Sequence, residues 1–403
     1  MEVGPIFRAL MRNKLGVVLI AVQIAFTMTV IVNAVFIINE RNDTMGRPSG
    51  MDEGNTFYIT SIGFGDNFNE EVTAVEDLNM IRQMPGVLNA SLTSALPVSG
   101  SGSSTGVSVV AGQRESSVPT AVYDVNERAL STMGLELVAG VDFTASDVLV
   151  RTRDNNSSPD NIIISAALAA VLFPELGIQA VGQTIYNANE QPLRIIGIVQ
   201  QLQAPWPTSP FVEQAMLSPL HVIDGTSTYL VRTEPGQRDR LMVEVEELLA
   251  ARNGERILRG LRSMEDTREE SYRVDSAMSK ILYVIIATLV FITAMGIVGL
   301  AVFSINRRKK QIGTRRALGA TQGDILRYFL LENLMITGCG VLVGAVLTLA
   351  FNMFLVQSFD MPRIDWYYAP VGMLLLMLVG QLAVIGPSQG AARITPALAT
   401  RSV

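Results

Sequence analysis

The residues best placed to do chemistry in this 403-residue chain are seven cations crowded into Asn306–Asn333, NRRKKQIGTRRALGATQGDILRYFLLEN. They are Arg307, Arg308, Lys309, Lys310, Arg315, Arg316 and Arg327, out of 31 Lys and Arg in all. Such a cluster recognises anions, lipid phosphate among them. Within it, Ile312, Arg315, Arg316 and Gly319 recur at i, i+3, i+4 and i+7, which predicts a short helix with Gly319 near its C-terminal end. The competing reading is that the cations only fix membrane topology.

Other candidate groups are poorer. No G-x-x-x-x-G-K-[ST] run is present, so the chain has no loop of its own to cradle nucleotide phosphates. The acidic pairs Glu246/Glu247 and Glu269/Glu270 fall beside arginines in helical patterns, where solvated faces explain them better than acid–base catalysis. His221 is the only histidine and Cys339 the only cysteine, so neither a disulfide nor a His/Cys metal cluster is expected. No ionised residue lies inside any spanning-length apolar run, which argues against an ion relay; Gln23 and Asn33 are the most polar members of the first.

The basic stretch needs a membrane to lie against, and the chain supplies one. It is 49% hydrophobic with mean hydropathy +0.33, too apolar for a typical soluble protein and too polar to be all membrane. Residues 1–15 read as an amphipathic interfacial helix with Ile6, Phe7, Leu10 and Met11 on one face. Residues 16–39 follow as a first span, too long for the core of a secretory signal. Residues 281–305, 334–356 and 369–387 are three more, with a short outer loop at 357–368 carrying Trp366, Tyr367 and Tyr368 at the membrane boundary, and a tail at 388–403. Gly296 with Gly299, and Gly340 with Gly344, are candidate close-packing positions between helices.

Charge orients this scheme. Residues 40–280 hold 32 of the 37 acidic residues but only 18 of the 31 basic ones, so the remainder of the chain is net basic. Lys and Arg are retained on the cytoplasmic side. The 306–333 segment and both termini are therefore expected inside, and residues 40–280 outside. In that large domain, Thr56–Ile62 and Thr228–Arg232 read as strands, each followed by a helix (Val72–Met84 and Arg238–Ala251), which suggests one α/β lobe built from both flanks. Between them, at about 90–205, short strands at Val87–Thr93, Gly106–Ala111, Thr120–Asn126, Asn161–Ile164 and Leu193–Val199, with a helix at Ala166–Phe173, suggest an inserted, mostly β lobe. Ser99–Gly106 and Arg151–Asp160 read as loops, and about 265–280 as a helical stalk running unbroken into the second span. The fold class expected is an integral membrane α-helical protein of four spans, with a large two-lobed α/β extracytoplasmic domain between the first and second.

These residues carry a resemblance. The run QIGTRRALGATQGDILRYFLLEN resembles the coupling-helix region of MacB-type ABC transporter permeases, the FtsX-like permease family, usually E-I-G-x-R-R-A-L-G-A followed by a helix ending F-L-x-E. FRALMRNK resembles the short helix before the first span, and NIIISAALAAVLFPELGIQAVGQTI with LRIIGIVQ resembles the MacB-like outer-domain pattern. AARITPALA resembles the A-A-R-I-x-P tail. The likeness covers nearly the whole chain; Gln311 departs from it, standing where the family often has Glu. It implies a non-catalytic subunit of the bacterial inner membrane that binds no cofactor itself and relies on ATP and Mg on a partner. Implied partners are a cytoplasmic ABC ATPase dimer, a second permease (identical or paralogous), a periplasmic adaptor and membrane lipids, with no nucleic acid. Implied ATPase-coupling residues are Ile312, Gly313, Arg315, Arg316, Ala317, Leu318, Gly319 and Ala320, with Ile312 and Leu318 as apolar anchors. The implied action is mechanotransmission for export or extraction. The alternatives are a regulator relaying ATPase motion to a cell-wall hydrolase, and an anchored receptor without an ATPase.

Overall fold

The computed structural model describes residues 14–393 apart from 66–67, 114–116, 153, 156–157 and 360. The expected amphipathic helix before residue 14 and most of the tail lie outside the described residues. Two compact units divide the chain: residues 44–274, and residues up to 43 together with 275 onward.

Helix α1 (Lys14–Gly46) leads into β1 (Thr56–Gly63), α2 (Glu70–Gln83) and β2 (Val87–Leu92). An insertion follows: β3 (Ser103–Ser108), β4 (Val118–Val125), α3 (Ala129–Met133), β5 (Leu137–Gly140), β6 (Leu149–Arg151), β7 (Asn161–Ser165), α4 (Ala166–Leu172), β8 (Thr184–Asn187), β9 (Pro192–Val199) and β10 (Ala215–Val222). The chain then completes the first lobe with β11 (Thr226–Thr233), α5 (Arg238–Arg252) and β12 (Arg256–Ser263), ending in α6 (Met264–Ser271).

The first lobe is an antiparallel sheet of order β12-β1-β11-β2, a ferredoxin-like split β-α-β arrangement. Asn69 caps α2 by accepting from the Val72 N–H at 3.1 Å. Ala74, Leu78 and Ile81 of α2 and Leu241, Val245 and Leu249 of α5 recur at helical spacing and bury themselves against Phe57, Ile59, Tyr229 and Val231. A fully buried Arg256–Asp77 pair lies beneath them, and the Tyr229 hydroxyl donates to the same carboxylate at 2.7 Å. The other face of the sheet is also covered: Leu230 and Met264 pack with Leu130, Met133, Tyr123 and Leu217 of the insertion.

The inserted strands run β4-β3-β8-β9-β7-β10 and return on themselves through β10–β4 pairing, which closes a barrel; β5 pairs β9 and β6 pairs β10 outside that ring. Closure leaves the six ring strands without a free edge. The Ile162, Ile164, Ile185, Ile195 and Ile198 side chains fill one of its cores. The insertion reaches Val222, beyond the expected end near 205, because β10 completes this ring. β3 begins at Ser103, inside the stretch expected as loop, since pairing with β4 at Ser103–Val122 and Ser104–Ala121 outweighs its Ser/Gly composition. The expected stalk is broken. α6 stops at Ser271 and a new helix starts at Arg273, with Tyr272 (4% exposed) turned inward to meet Gln203 Nε2 at 3.2 Å.

The remaining helices are α7 (Arg273–Arg307), α8 (Lys309–Ala317), α9 (Gln322–Phe359) and α10 (Tyr368–Ala392). α1, α7, α9 and α10 are each long and apolar enough to cross a membrane. Small residues set their approach. A Cβ at Gly340 would lie 2.9 Å from Ile24 Cβ and 3.0 Å from the Ala21 carbonyl oxygen; one at Gly344 would lie 2.9 Å from Met28 Cβ. A Cβ at Gly296 would meet only the end of Gln23, at 2.7 Å from Oε1. Gly299, expected beside it as a close-packing position, makes no close approach within this chain, with nothing within 4 Å of where a Cβ would stand. Gly380 against Thr337, and Gly372 against Val32, are close approaches that the spacing rule passed over. Polar bridges add to these: Thr27 to Thr293 at 2.8 Å, and Asn333 Nδ2 donating to the Gly380 carbonyl at 2.9 Å. α10 runs past Pro387, where the span was expected to end, because Ser388, Ala391 and Ala392 continue its buried face. At the other end Tyr368 accepts from Asn39 Nδ2 at 2.9 Å, and its ring meets Phe36 edge-on at 5.5 Å.

Candidate functional site

The basic stretch folds as one short helix clamped to the start of a long one. α7 ends at Arg307, and Arg308 (φ −109°, ψ 11°) turns the chain out of helical geometry. α8 then runs nine residues and stops where Gly319 takes φ +100°, a left-handed conformation that favours glycine. α9 starts with a capping box. The Thr321 hydroxyl accepts from the Asp324 N–H at 3.2 Å, while the Asp324 carboxylate accepts from the Thr321 N–H at 2.9 Å.

α8 has two faces. Its inner face is Ile312, 5% exposed and packed in a cluster with Ile325, Tyr328 and Phe329, together with buried Gly313. Ile312 was expected as an outward anchor beside Leu318. Its side chain is instead consumed within the chain, because the i, i+3, i+4 apolar pattern of α9 supplies a surface for it. The outer face is Lys309, Lys310, Gln311, Thr314, Arg315, Ala317, Leu318 and Gly319, all exposed. Leu318, at 84% exposed, is the outward apolar side chain of the set. Arg316 is half-buried and Nη1 donates to the Ala320 carbonyl at 3.4 Å, closing the turn after the helix.

Arg308, Tyr328 and Glu332, absent from the expected set, fix the position of α8. Arg308 Nη1 lies 2.9 Å from Glu332 Oε2 and 3.2 Å from the Tyr328 hydroxyl, with the Glu332 side chain 8% exposed. The Arg315 guanidinium lies over the Tyr328 ring, 5.0 Å from its centroid. Tyr328 and Glu332 are one turn apart on α9, so they share the face that receives α8. The F-L-x-E ending pointed at Glu332; no local pattern pointed from Glu332 to Arg308, 24 residues away.

The other candidates stand apart. Glu246, Glu247, Glu269 and Glu270 are exposed on the outer faces of α5 and α6. His221 lies in a cleft lined by Thr93, Asp124, Asp224 and Thr226, its Nε2 buried without a partner. Burial holds its imidazole below the ordinary range, against the pull of Glu70, Glu71 and Asp224. Burial also raises the Asp124 carboxyl there, against the pull of Arg151 and the Ser218 hydrogen bond.

Comparison with known proteins agrees with this architecture. The MacB-like periplasmic core domain model matches residues 15–250, and the FtsX-like permease C-terminal model matches residues 283–396. An uncharacterized ABC transporter permease, YknZ of Bacillus subtilis, is 26% identical over 74% of this chain and 74% of its own length. The macrolide export ATP-binding/permease protein MacB of Escherichia coli is 22% identical over 70% of this chain, a match that spans 43% of that protein. The crystal structure of the periplasmic region of MacB from Actinobacillus actinomycetemcomitans aligns with 55% of this chain and 94% of its own, at 14% identity and a TM-score of 0.33. With a MacB-like core over more than half of its length and an FtsX-like C-terminal region after it, the chain belongs to the MacB/FtsX family of ABC transporter permeases.

Proposed function

We propose that this permease is the mechanical subunit of a bacterial inner-membrane ABC transporter. ATP is hydrolysed by a separate cytoplasmic ATPase pair, and two permeases, each docking α8 on one ATPase, carry the motion to residues 44–274 for export or extraction of a substrate. The single observation that supports this most is α8 itself: a rigid basic helix with an exposed leucine, clamped to α9 and presented outward between two spans. An exposed apolar side chain ringed by cations suits a groove with an apolar floor and an acidic rim.

Helix geometry supplies the transmission. α7 is unbroken from Arg273 to Arg307, 35 residues or about 52 Å at 1.5 Å each, so displacement at its inner end is conveyed along the whole helix. On the lysine and arginine bias, α8 and both termini are cytoplasmic and residues 44–274 lie outside. Cofactor chemistry stays on the partner, where ATP and its Mg ion bind. An adaptor in the periplasm extends the same reading.

The test is affinity purification from native membranes. A nucleotide-hydrolysing ABC subunit should co-purify, and hydrolysis should vanish when the permease alone is isolated. Hydrolysis that survives stringent purification of the chain alone, or the recovery of no ATPase under conditions that keep the membrane complex intact, would refute it.

A further inference from the structure

We infer that the Arg308–Glu332 pair is the joint that makes α7, α8 and α9 move as one body, and that these two residues set coupling efficiency without touching the ATPase. This rests on the coupling role of α8 given above.

Between Arg273 and Ala317 the chain leaves helical geometry at one residue, Arg308. A single non-helical residue between two helices leaves their angle free unless something else holds it. Here the holding group is the side chain of that same residue. Arg308 reaches Glu332 and the Tyr328 hydroxyl on α9, while Arg315, two turns further along the chain, lies over the Tyr328 ring. The clasp therefore grips α9 from both ends of α8. Glu332 is nearly sealed from solvent, and an uncompensated carboxylate there is strongly unfavourable, so the pair resists parting under displacement. Beside it lies an incompletely filled cleft, lined by Leu300 and Ser304 of α7, Phe329 and Asn333 of α9, Val17 and Val384, so apolar packing between α7 and α9 is incomplete here and the ion pair carries more of their contact. Pushing on α8 without the joint would bend the chain at Arg308. With it, the same push displaces two spanning helices.

The experiment uses the full chain in nanodiscs, with its ATPase, in four forms: wild type, Glu332→Gln, the charge swap Arg308→Glu/Glu332→Arg, and Leu318→Asp. Glu332→Gln should keep ATPase binding within about twofold, yet lower permease-dependent stimulation of hydrolysis at least tenfold. The swap should restore at least half of it, a recovery that loss of packing alone would not give. Leu318→Asp should fail earlier, at binding. A measurement free of the ATPase uses spin labels at exposed Gln311 and Leu331: one narrow distance in the wild type, a broadened distribution in Glu332→Gln, and narrowing again in the swap. Full stimulation together with an unbroadened distance in Glu332→Gln overturns the joint. Full ATPase binding by Leu318→Asp overturns the docking reading instead, and the spin-label distances then decide the joint alone. If the swap does not assemble, Glu332→Asp serves as the conservative rescue and should recover stimulation.

Discussion

Replacing Leu318 by Asp separates a docking surface from a topology signal. Leu318 is 84% exposed in the free chain, so an aspartate there meets water and leaves the fold intact. Docked in an apolar groove, the leucine would contribute about 1.5–3 kcal/mol of burial, and the carboxylate that replaces it would be desolvated without a partner. Even ~3 kcal/mol in total is more than a hundredfold in Kd. Ile312→Asp provides the contrast, since Ile312 is 5% exposed among Ile325, Tyr328 and Phe329 and a charge there damages the chain itself. The assay titrates purified ATPase against permease in nanodiscs and records the thermal midpoint of each variant. The expected pattern is Leu318→Asp with an unchanged midpoint and affinity down a hundredfold or more, and Ile312→Asp with a lowered midpoint. A Leu318→Asp permease that binds within threefold of wild type refutes the reasoning, and the basic stretch is then a topology signal.

Three further outcomes follow from the structure. In a Cys339→Ala background, cysteine introduced at exposed Ser103 should react with an impermeant thiol reagent in outer-membrane-permeabilised cells and one at exposed Thr321 should not; the reverse pattern would invert the topology. Gly340→Val should destabilise the membrane unit by about 1–3 kcal/mol, because its Cβ would press within 2.9 Å of Ile24, whereas Gly299→Val should be nearly silent; equal effects on thermal midpoint would contradict the α1–α9 contact. His221 is held neutral by burial, so its folded pKa lies below its unfolded one. As pH falls below about 6.5 the unfolded chain takes up a proton that the folded chain refuses, and stability drops. His221→Gln should flatten that acid-side slope, and an identical slope in both proteins counts against the assignment.

Hydropathy and charge made the four spans and the two-lobe outline legible, since each rests on periodicity within a short window. What escaped depends on distant partners. β10 contains Pro219, which argues against a strand by local rules. The structure accommodates it where pairing with β4 ends and pairing with β6 begins, so the missing N–H falls at a change of neighbours. β12 reads as polar because of Arg256, Arg259 and Arg262; it forms because it is an edge strand, with Gly260 at φ +69° beside the irregularity opposite Tyr58 and Thr60. The break at Tyr272 has no Pro or Gly to announce it, and arises from a contact with Gln203, 69 residues earlier. At the basic segment, spacing identified the helix, but choosing which of Ile312 and Leu318 faces outward required the apolar surface of α9.

The two-sided burial of the four-stranded sheet has a consequence for how such permeases can diversify. α2 and α5 cover one face, while the insertion covers the other through Leu230 and Met264. Losing the insertion outright would lay an apolar sheet face open to water, an invitation to aggregate. Descendants are thus steered away from deletion, and variation is channelled into positions that leave the sheet contact alone. A lineage can then vary its sequence elsewhere in residues 44–274 many times over while inheriting the same buried seam.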